Sequence, residues 1–581
     1  MYKPNKRHLQ PLLISNVNEL PEKKRQRLEG SWAEDFYREF FCRLDEEPFA
    51  VLYADLPSRP NVPINWLVSL EMLKAGFGWS DEELYDHFCF DLQIRYALGI
   101  HDLNQSDFDL RTLYYFRERL SRYMQESGIN LLDQAFEQVT DEQIAAFKLK
   151  TGKQRMDSTQ VASNIRHMGR VQLLVEVLQR VQRMLDEADQ DRYAEAFAPY
   201  LRGHSGQYVY HLKREDLPAS LQQMGELMQR LLVELQPKYA EEPVYQVLHR
   251  VFGEHFQVTK TLVKAKPNEA LSASSLQSPD DLEASYRVKR GQGYQGYVAN
   301  LSETCDPENA LQLITKVQTA PNTTDDSQLL AEALPTLKQR ANLETIYTDG
   351  GYGGQAADPV LQDQQVEQVQ TAIRGRTPRP DKLHLADFDL KLNADGNPVK
   401  VTCPNGQTVP AHTSSSKKSF VAHFEAESCQ TCPLAEHCPA KPGKRDGRHH
   451  LRFTRAQAHA SERRRRSQAQ QETGRNLRAA VEASVRSLKH PFPAGKLPVR
   501  GSFRVACMLI GSAAVANVRR IHRYLGRAPG DEQGTQNSPV SPKDGASRTP
   551  QAAWDSFLSL IRAGFQSWVP LGWAFSARLS C

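Results

Sequence analysis

No run of about 18 apolar residues, the minimum for a membrane-spanning helix, occurs anywhere in this 581-residue chain. The opening MYKPNKRHLQ also lacks the apolar core of a secretory signal. Both absences make a cytoplasmic protein the expectation. In that compartment the nine cysteines are expected as thiols or metal ligands and not as disulfides. A third scarcity is local. Between Lys441 and Arg527 four Asp and Glu stand against 21 Lys and Arg, an excess of 17 in a chain whose net charge is +4. The remainder is therefore acidic. Such asymmetry points to a polyanion as partner of the basic region, and nucleic acid fits best.

One acid in that basic region stands out. In GRNLRAAVEASVRSLKH, Glu482 sits among Arg475, Arg478, Arg486 and Lys489. At about 100° per residue, Arg475, Arg478, Glu482 and Lys489 share a helical stripe roughly 60° wide. Leu477, Val481, Val485 and Leu488 form the adjoining apolar face, which predicts a helix packed on a core. Read alone, Arg478 and Glu482 are an i,i+4 surface pair worth about 0.2–0.5 kcal/mol. A stronger reading needs partner carboxylates elsewhere in the chain.

The pattern upstream supplies candidates. Residues 64–122 read as short helices joined by tight turns: WLVSLEMLKAGF, WSDEELYDHF with Ser80 and Glu83 spaced as a capping box, FDLQIRYALGI, and SDFDLRTLYYFRERL started by Ser106. A helix-turn-helix-like module and a plain helical bundle both suit this stretch. A short strand near Lys153–Met156 is predicted to end at Asp157, followed by helices to about Glu283. GYQGYVANLS and ALQLITKVQTA read as neighbouring strands, and DDSQLLAEALPTLKQR as a helix with aspartates at its positive end. LETIYTDGGYGG predicts a strand ending at Asp349, and VEQVQTAI another. RVACMLIGSAAVANVRRIHRYL is a packed helix, and residues 527–550 read as a disordered linker.

Two strand-end aspartates and a helical glutamate can converge on one point. Without cations they would repel one another. Hard divalent ions resolve that repulsion and, in pairs, activate a water or 3′-hydroxyl in phosphodiester chemistry. Taken singly, Asp157 suits a turn or helix cap, and Asp349 precedes a turn-forming glycine.

In this order the residues resemble the DDE transposases of bacterial insertion sequences, a group with a ribonuclease H-like catalytic core and a Y-x2-R-x3-E-x6-K signature. The spacing stands here as Arg475, Arg478, Glu482 and Lys489, with arginine in place of tyrosine. MDSTQVASN resembles the first-aspartate motif, YTDGGYGG the second, KRGQGYQGYVANL the hairpin between them, and FRERL part of the N-terminal module. The resemblance implies that Asp157, Asp349 and Glu482 are catalytic and bind two Mg²⁺ or Mn²⁺ ions. It implies strand cleavage at transposon ends, joining of the 3′-hydroxyl to target DNA, DNA contacts from Arg475, Arg478 and Lys489, and at least a dimer on paired ends. Two other readings remain open at this point: a metal-dependent nuclease that cuts without joining, and an inactive or domesticated DNA-binding protein.

Cys403, Cys429, Cys432 and Cys438, spaced C-x25-C-x2-C-x5-C, suit a closed tetrahedral Zn²⁺ site, with His423 or His437 as substitutes for one thiol. Unligated thiols in a small packed insert are the alternative. The expected organisation is an α/β protein. An all-α DNA-binding module occupies 1–145 and the first core strand 146–165. A helical insertion (166–285) and more core (286–375) follow. A cysteine-rich, zinc-ribbon-like insertion (376–455) then precedes the glutamate and closing helices (456–526), with a linker and tail at 527–581.

Overall fold

The strand that carries Asp157 runs further than its sequence suggests. β1 spans Lys153–Val161, so Asp157 lies mid-strand and not at its end. A computed structural model describes residues 1–9, 15–54, 60–102, 108–259, 262–289, 291–371, 379, 381–393, 396–414, 419–443, 446–472 and 476–526. The sequence-based readings of Ser106, Arg475 and the 527–581 tail lie outside them.

After β1 come a small hairpin, β2 (Phe256–Thr259) and β3 (Leu262–Ala265), and then β4 (Ser285–Lys289), β5 (Gln292–Thr304), β6 (Ile314–Pro321), β7 (Thr345–Thr348) and β8 (Glu367–Gln370). β5 pairs antiparallel with β1, with β4 and with β6. β7 pairs parallel with β1, and β8 parallel with β7. The order through the centre is therefore β6-β5-β1-β7-β8, with β4 on the first half of β5.

Strand alternation divides β1 between two layers. Met156 joins Leu330, Leu334, Leu337 and Ile346 in a core under the helix Asp326–Ala341. Val161, with Leu301 and Tyr297 of β5, joins a larger core on the other face. That second core also takes in Val481, Val485 and Leu488, the helix Ser502–Leu525, and the N-terminal helices. The apolar face read from the sequence around Glu482 is thus buried, although the helix itself is short, Val481–Ser487, with turns on either side.

The N-terminal helices Ile64–Phe77, Asp81–Phe90, Leu92–Ala97 and Arg111–Ser127 follow the sequence pattern closely. Gly78 closes the first at φ 76°, and the Ser80–Glu83 capping box forms. The fourth starts at Arg111, with Asp109 accepting from its amide at 2.8 Å. Ile64–Phe77 is buried almost all round against Ser502–Leu525, and glycines allow the close approach. A Cβ on Gly76 would lie 2.4 Å from Val515, and one on Gly511 2.7 Å from Ala75.

The segment between β1 and β4 has its own core, built from the helices Arg170–Met184, Leu217–Tyr239 and Pro243–His255. It is not helical throughout: β2–β3 follow His255. The cysteine-rich segment forms a second, antiparallel sheet. Its strands are β9 (Asp389–Leu392), β10 (Pro398–Thr402), β11 (Thr408–Thr413), β12 (Phe420–Phe424), β13 (Lys441–Pro442) and β14 (His449–Phe453), in the order β13-β14-β12-β11-β10-β9. Among the described residues no helix is long and apolar enough to cross a membrane.

Candidate active site

The alternation of β1 also sorts its polar side chains. Arg155, Asp157 and Thr159 face the layer of the glutamate helix, while Ser158 faces the helix Asp326–Ala341. Arg155 donates to Glu303 on β5 at 2.6 Å and to the Leu477 carbonyl at 2.9 Å. Arg520 reaches the other Glu303 oxygen at 2.9 Å and the Ser484 hydroxyl at 2.6 Å. The fully buried Glu303 therefore holds two arginines that fasten the glutamate helix over β1.

Between the acids stands Arg478. Its guanidinium meets Asp157 Oδ2 at 3.1 Å and Glu482 Oε1 at 3.2 Å. Burial, the largest single effect, lowers its ordinary high pKa, but Asp157, Asp349 and Glu482 together outweigh it and raise it further. Asp157 is 9% exposed; burial pushes its carboxyl up, Arg478 pulls it down, and Asp349 pushes it up again. Asp349 follows β7 directly, and its Oδ1 accepts from the Gly351 amide at 2.7 Å. Glu482 is the exposed member, with its side chain 53% accessible. Asp157 and Glu482 thus share one arginine, on which the charge of Asp349 also acts. Among the described residues their oxygens do not all lie within 4.8 Å of one another.

A fourth carboxylate joins them that the sequence reading treated only as a helix-start acid. Asp326 is 6% exposed and accepts from Ser158 Oγ at 2.8 Å. A Cβ on Gly351 would lie 2.7 Å from Asp326 and 2.9 Å from Asp349, so the second glycine of TDGGY keeps two acids close. Beneath them, Tyr352 is held protonated by burial and then by Asp326, Asp157 and Asp349, and donates to Asn300 Oδ1 at 2.6 Å. The signal for Asp326 was present: tandem aspartates at a helix start, where one alone suffices to cap.

Lys489 donates to Thr159 Oγ1 at 2.8 Å and to the Gln160 carbonyl at 2.9 Å, and burial depresses its pKa. The ERRRR run is largely absorbed internally. Arg463 pairs with Asp358, Arg465 with Asp389 at 2.6 Å, and Arg466 with Glu367 at 3.7 Å. In FRERL, Arg117 pairs with Glu71 at 2.8 Å and Asp81 at 2.7 Å, and Arg119 lies over the Tyr53 ring.

The donor set fits hard divalent cations. A buried carboxylate lies within β1, a half-buried one follows the parallel β7, a third arrives on the short glutamate helix, and one guanidinium supplies positive charge among them. Residues 402–522 match the family model of a transposase DDE domain. The match supports a DDE transposase family and implies an enzyme that acts on DNA. It takes in Arg478, Glu482 and Lys489 together with β11 to β14 of the second sheet and the four clustered cysteines; Asp157, Asp349 and β9 lie before it. Comparison with curated proteins and with solved structures returns no match.

The four clustered cysteines line one cavity of about 360 Å³, beside Phe424 and His449. Backbone amides point at two sulfurs, Gln407 at Cys403 (3.3 Å) and Leu434 at Cys432 (3.4 Å). Burial and the neighbouring thiols push Cys429 up, and burial does the same for Cys438. Neither His423 nor His437 lines this cavity.

Proposed function

We propose that the chain is a DDE transposase, which cuts DNA at transposon ends and joins the freed 3′-hydroxyl to target DNA. The observation that carries this reading is the sharing of Arg478 by Asp157 and Glu482, with Asp349 directly after the strand that pairs with β1. The strand order β6-β5-β1-β7-β8, antiparallel on one side of β1 and parallel on the other, supports a ribonuclease H-like core. The helices before it are the proposed DNA-binding module, residues 166–285 a helical insertion, and the second sheet a cysteine-rich insertion.

Asp157, Asp349 and Glu482 would hold two Mg²⁺ or Mn²⁺ ions. When bound, these would polarise the scissile phosphate and lower the pKa of the attacking water or 3′-hydroxyl. The chain's own residues do the rest. Glu303, through Arg155 and Arg520, fixes Glu482's helix relative to Asp157. Gly351 holds Asp349 in place through its amide. Arg478 would release the acids to a bound cation, and its planar fork has the geometry to bind a phosphate. Lys489, seated on Thr159 and Gln160, and Arg475 are the further proposed contacts to the DNA backbone. Cys403, Cys429, Cys432 and Cys438 would hold Zn²⁺ as a closed structural site, where the amide donors favour thiolates. Work on paired DNA ends requires at least a dimer, and the nucleoid is the expected place of action.

The test uses linear DNA carrying the inverted repeats that flank the coding region, with Mg²⁺. The chain should nick at the repeat ends. Alanine at Asp157, Asp349 or Glu482 should each lower nicking by more than about 100-fold, beyond the loss typical of an outer metal partner. Full nicking by any one of these variants would break the triad assignment.

A further inference from the structure

We propose a second metal site, separate from both the acids and the cysteines, made by His423, Asp446 and His450 on the outer face of the second sheet. His423 and His450 are directly opposed partners on β12 and β14. Opposed residues in an antiparallel pair project to the same face, with Cβ atoms about 5 Å apart. Their neighbours Phe424 and His449 project to the other face, into the cysteine cavity. The sheet therefore presents histidines to one side and thiols to the other, so the two sites are independent.

Asp446 comes from the β13–β14 connection and lies between the two rings. His450 Nε2 is 2.9 and 3.1 Å from its two oxygens, and His423 Nδ1 is 3.9 Å from Oδ2. A tetrahedral Zn²⁺ with bonds of roughly 2.0–2.1 Å sets its ligands about 3.3 Å apart. The observed separations bracket that value. The ring centroids of His423 and His450 lie 4.5 Å apart at 82°. His412, on the same face of β11, is the next donor, its ring centroid 6.1 Å from that of His423.

Two further observations point to a ligand. His423 Nδ1 is enclosed and has no hydrogen-bond partner, a costly state for a polar nitrogen. A His450–Asp446 ion pair alone would leave it so; a metal would satisfy it. Gly443 forms the floor: a Cβ there would lie 2.3 Å from Asp446 Oδ1 and 2.7 Å from His450 Nε2. Its φ is not positive, so it is space that requires glycine here. Two imidazoles and a carboxylate suit a borderline ion such as Zn²⁺ better than Mg²⁺. Solvent reaches the site through Asp446, whose side chain is 42% accessible. Bound there, the ion would tie the β13–β14 connection to the sheet.

The experiment strips the full chain with chelator, reloads it with Zn²⁺ or Co²⁺ alone, and counts retained metal by mass spectrometry. His423→Ala/His450→Ala should retain one equivalent fewer than the parent. Its Co²⁺ spectrum should lose intensity in the visible bands while any sulfur charge-transfer band stays. Gly443→Ala, which removes no ligand, should lose the same equivalent, and it carries the test if the double variant does not fold. Unchanged metal content and an unchanged Co²⁺ spectrum in folded variants would overturn the proposal. So would loss of metal only on replacing Cys429 and Cys432 by serine. None of these readouts depends on DNA cleavage.

Discussion

Arg478 binds Asp157 with one nitrogen of its fork and Glu482 with another. A guanidinium in that place neutralises acids that would otherwise repel, and it must compete with any divalent ion for them. Replacing it with glutamine should therefore do two opposite things. Stability without divalent ions should fall by about 1.5–3 kcal/mol, the worth of a hydrogen bond to a charged group. Added Mg²⁺ should then raise the melting temperature more than it does in the parent, since no cation has to leave. Differential scanning fluorimetry with and without Mg²⁺ reads both. Asp157 supplies a pH prediction. Burial raises its carboxyl pKa, so the proton leaves only above the ordinary aspartate range. The neutral form is the one burial favours, so stability is greatest with Asp157 protonated and falls as pH rises through its raised pKa. Mg²⁺ requires the ionised form. Mg²⁺ affinity should thus weaken on acidification before ordinary surface carboxylates titrate, and Asp157→Asn should remove that part of the pH dependence in calorimetric titrations.

The glutamate helix is seven residues long, too short to hold itself in place. Its position comes from buried apolar contacts of Val481, Val485 and Leu488 and from the Glu303 link to Arg155 and Arg520. Glu303→Ala would leave two buried guanidinium groups without their acid. That should cost about 3–5 kcal/mol, measured by chemical denaturation, and loosen the Glu482 helix in hydrogen exchange more than β7. The packing of Ile64–Phe77 on Ser502–Leu525 offers a second check. Gly76→Ala and Gly511→Ala place methyl groups 2.4–2.7 Å from neighbours, and each should destabilise by about 1–3 kcal/mol through overpacking. Near-neutral effects would mean that these helices do not pack as described.

Seen across the molecule, what the sequence revealed followed from periodicity and punctuation. The Ser80 capping box, Gly78 and the helix 326–341 were legible because caps and apolar spacing are local. Asp157, Asp349 and Glu482 are proposed as a set because each stands next to an apolar segment and their order resembles that of a known family. Other features depend on contacts far apart in sequence, and local pattern cannot reach those. β1 continues past Asp157 because β5 pairs with it through Val161. Asp326 joins the acids only through Ser158 and Gly351. Of the four arginines in Glu462–Arg466, three meet acids distant in sequence, Asp358, Asp389 and Glu367. The second sheet was hidden because its strands are short and its cysteines drew the reading towards metal.

The central proposal is that Asp157, Asp349 and Glu482 form one centre that both cuts and joins DNA. Strand transfer tests it most directly. The purified chain is incubated with pre-cleaved DNA bearing the flanking inverted repeats, a supercoiled target plasmid and Mg²⁺, and joined molecules are counted by sequencing across the junctions. The expected result is joined product from the parent, abolished by Asp157→Asn, Asp349→Asn or Glu482→Gln. Joining that survives any of these substitutions, or a parent that cuts but never joins, would contradict it.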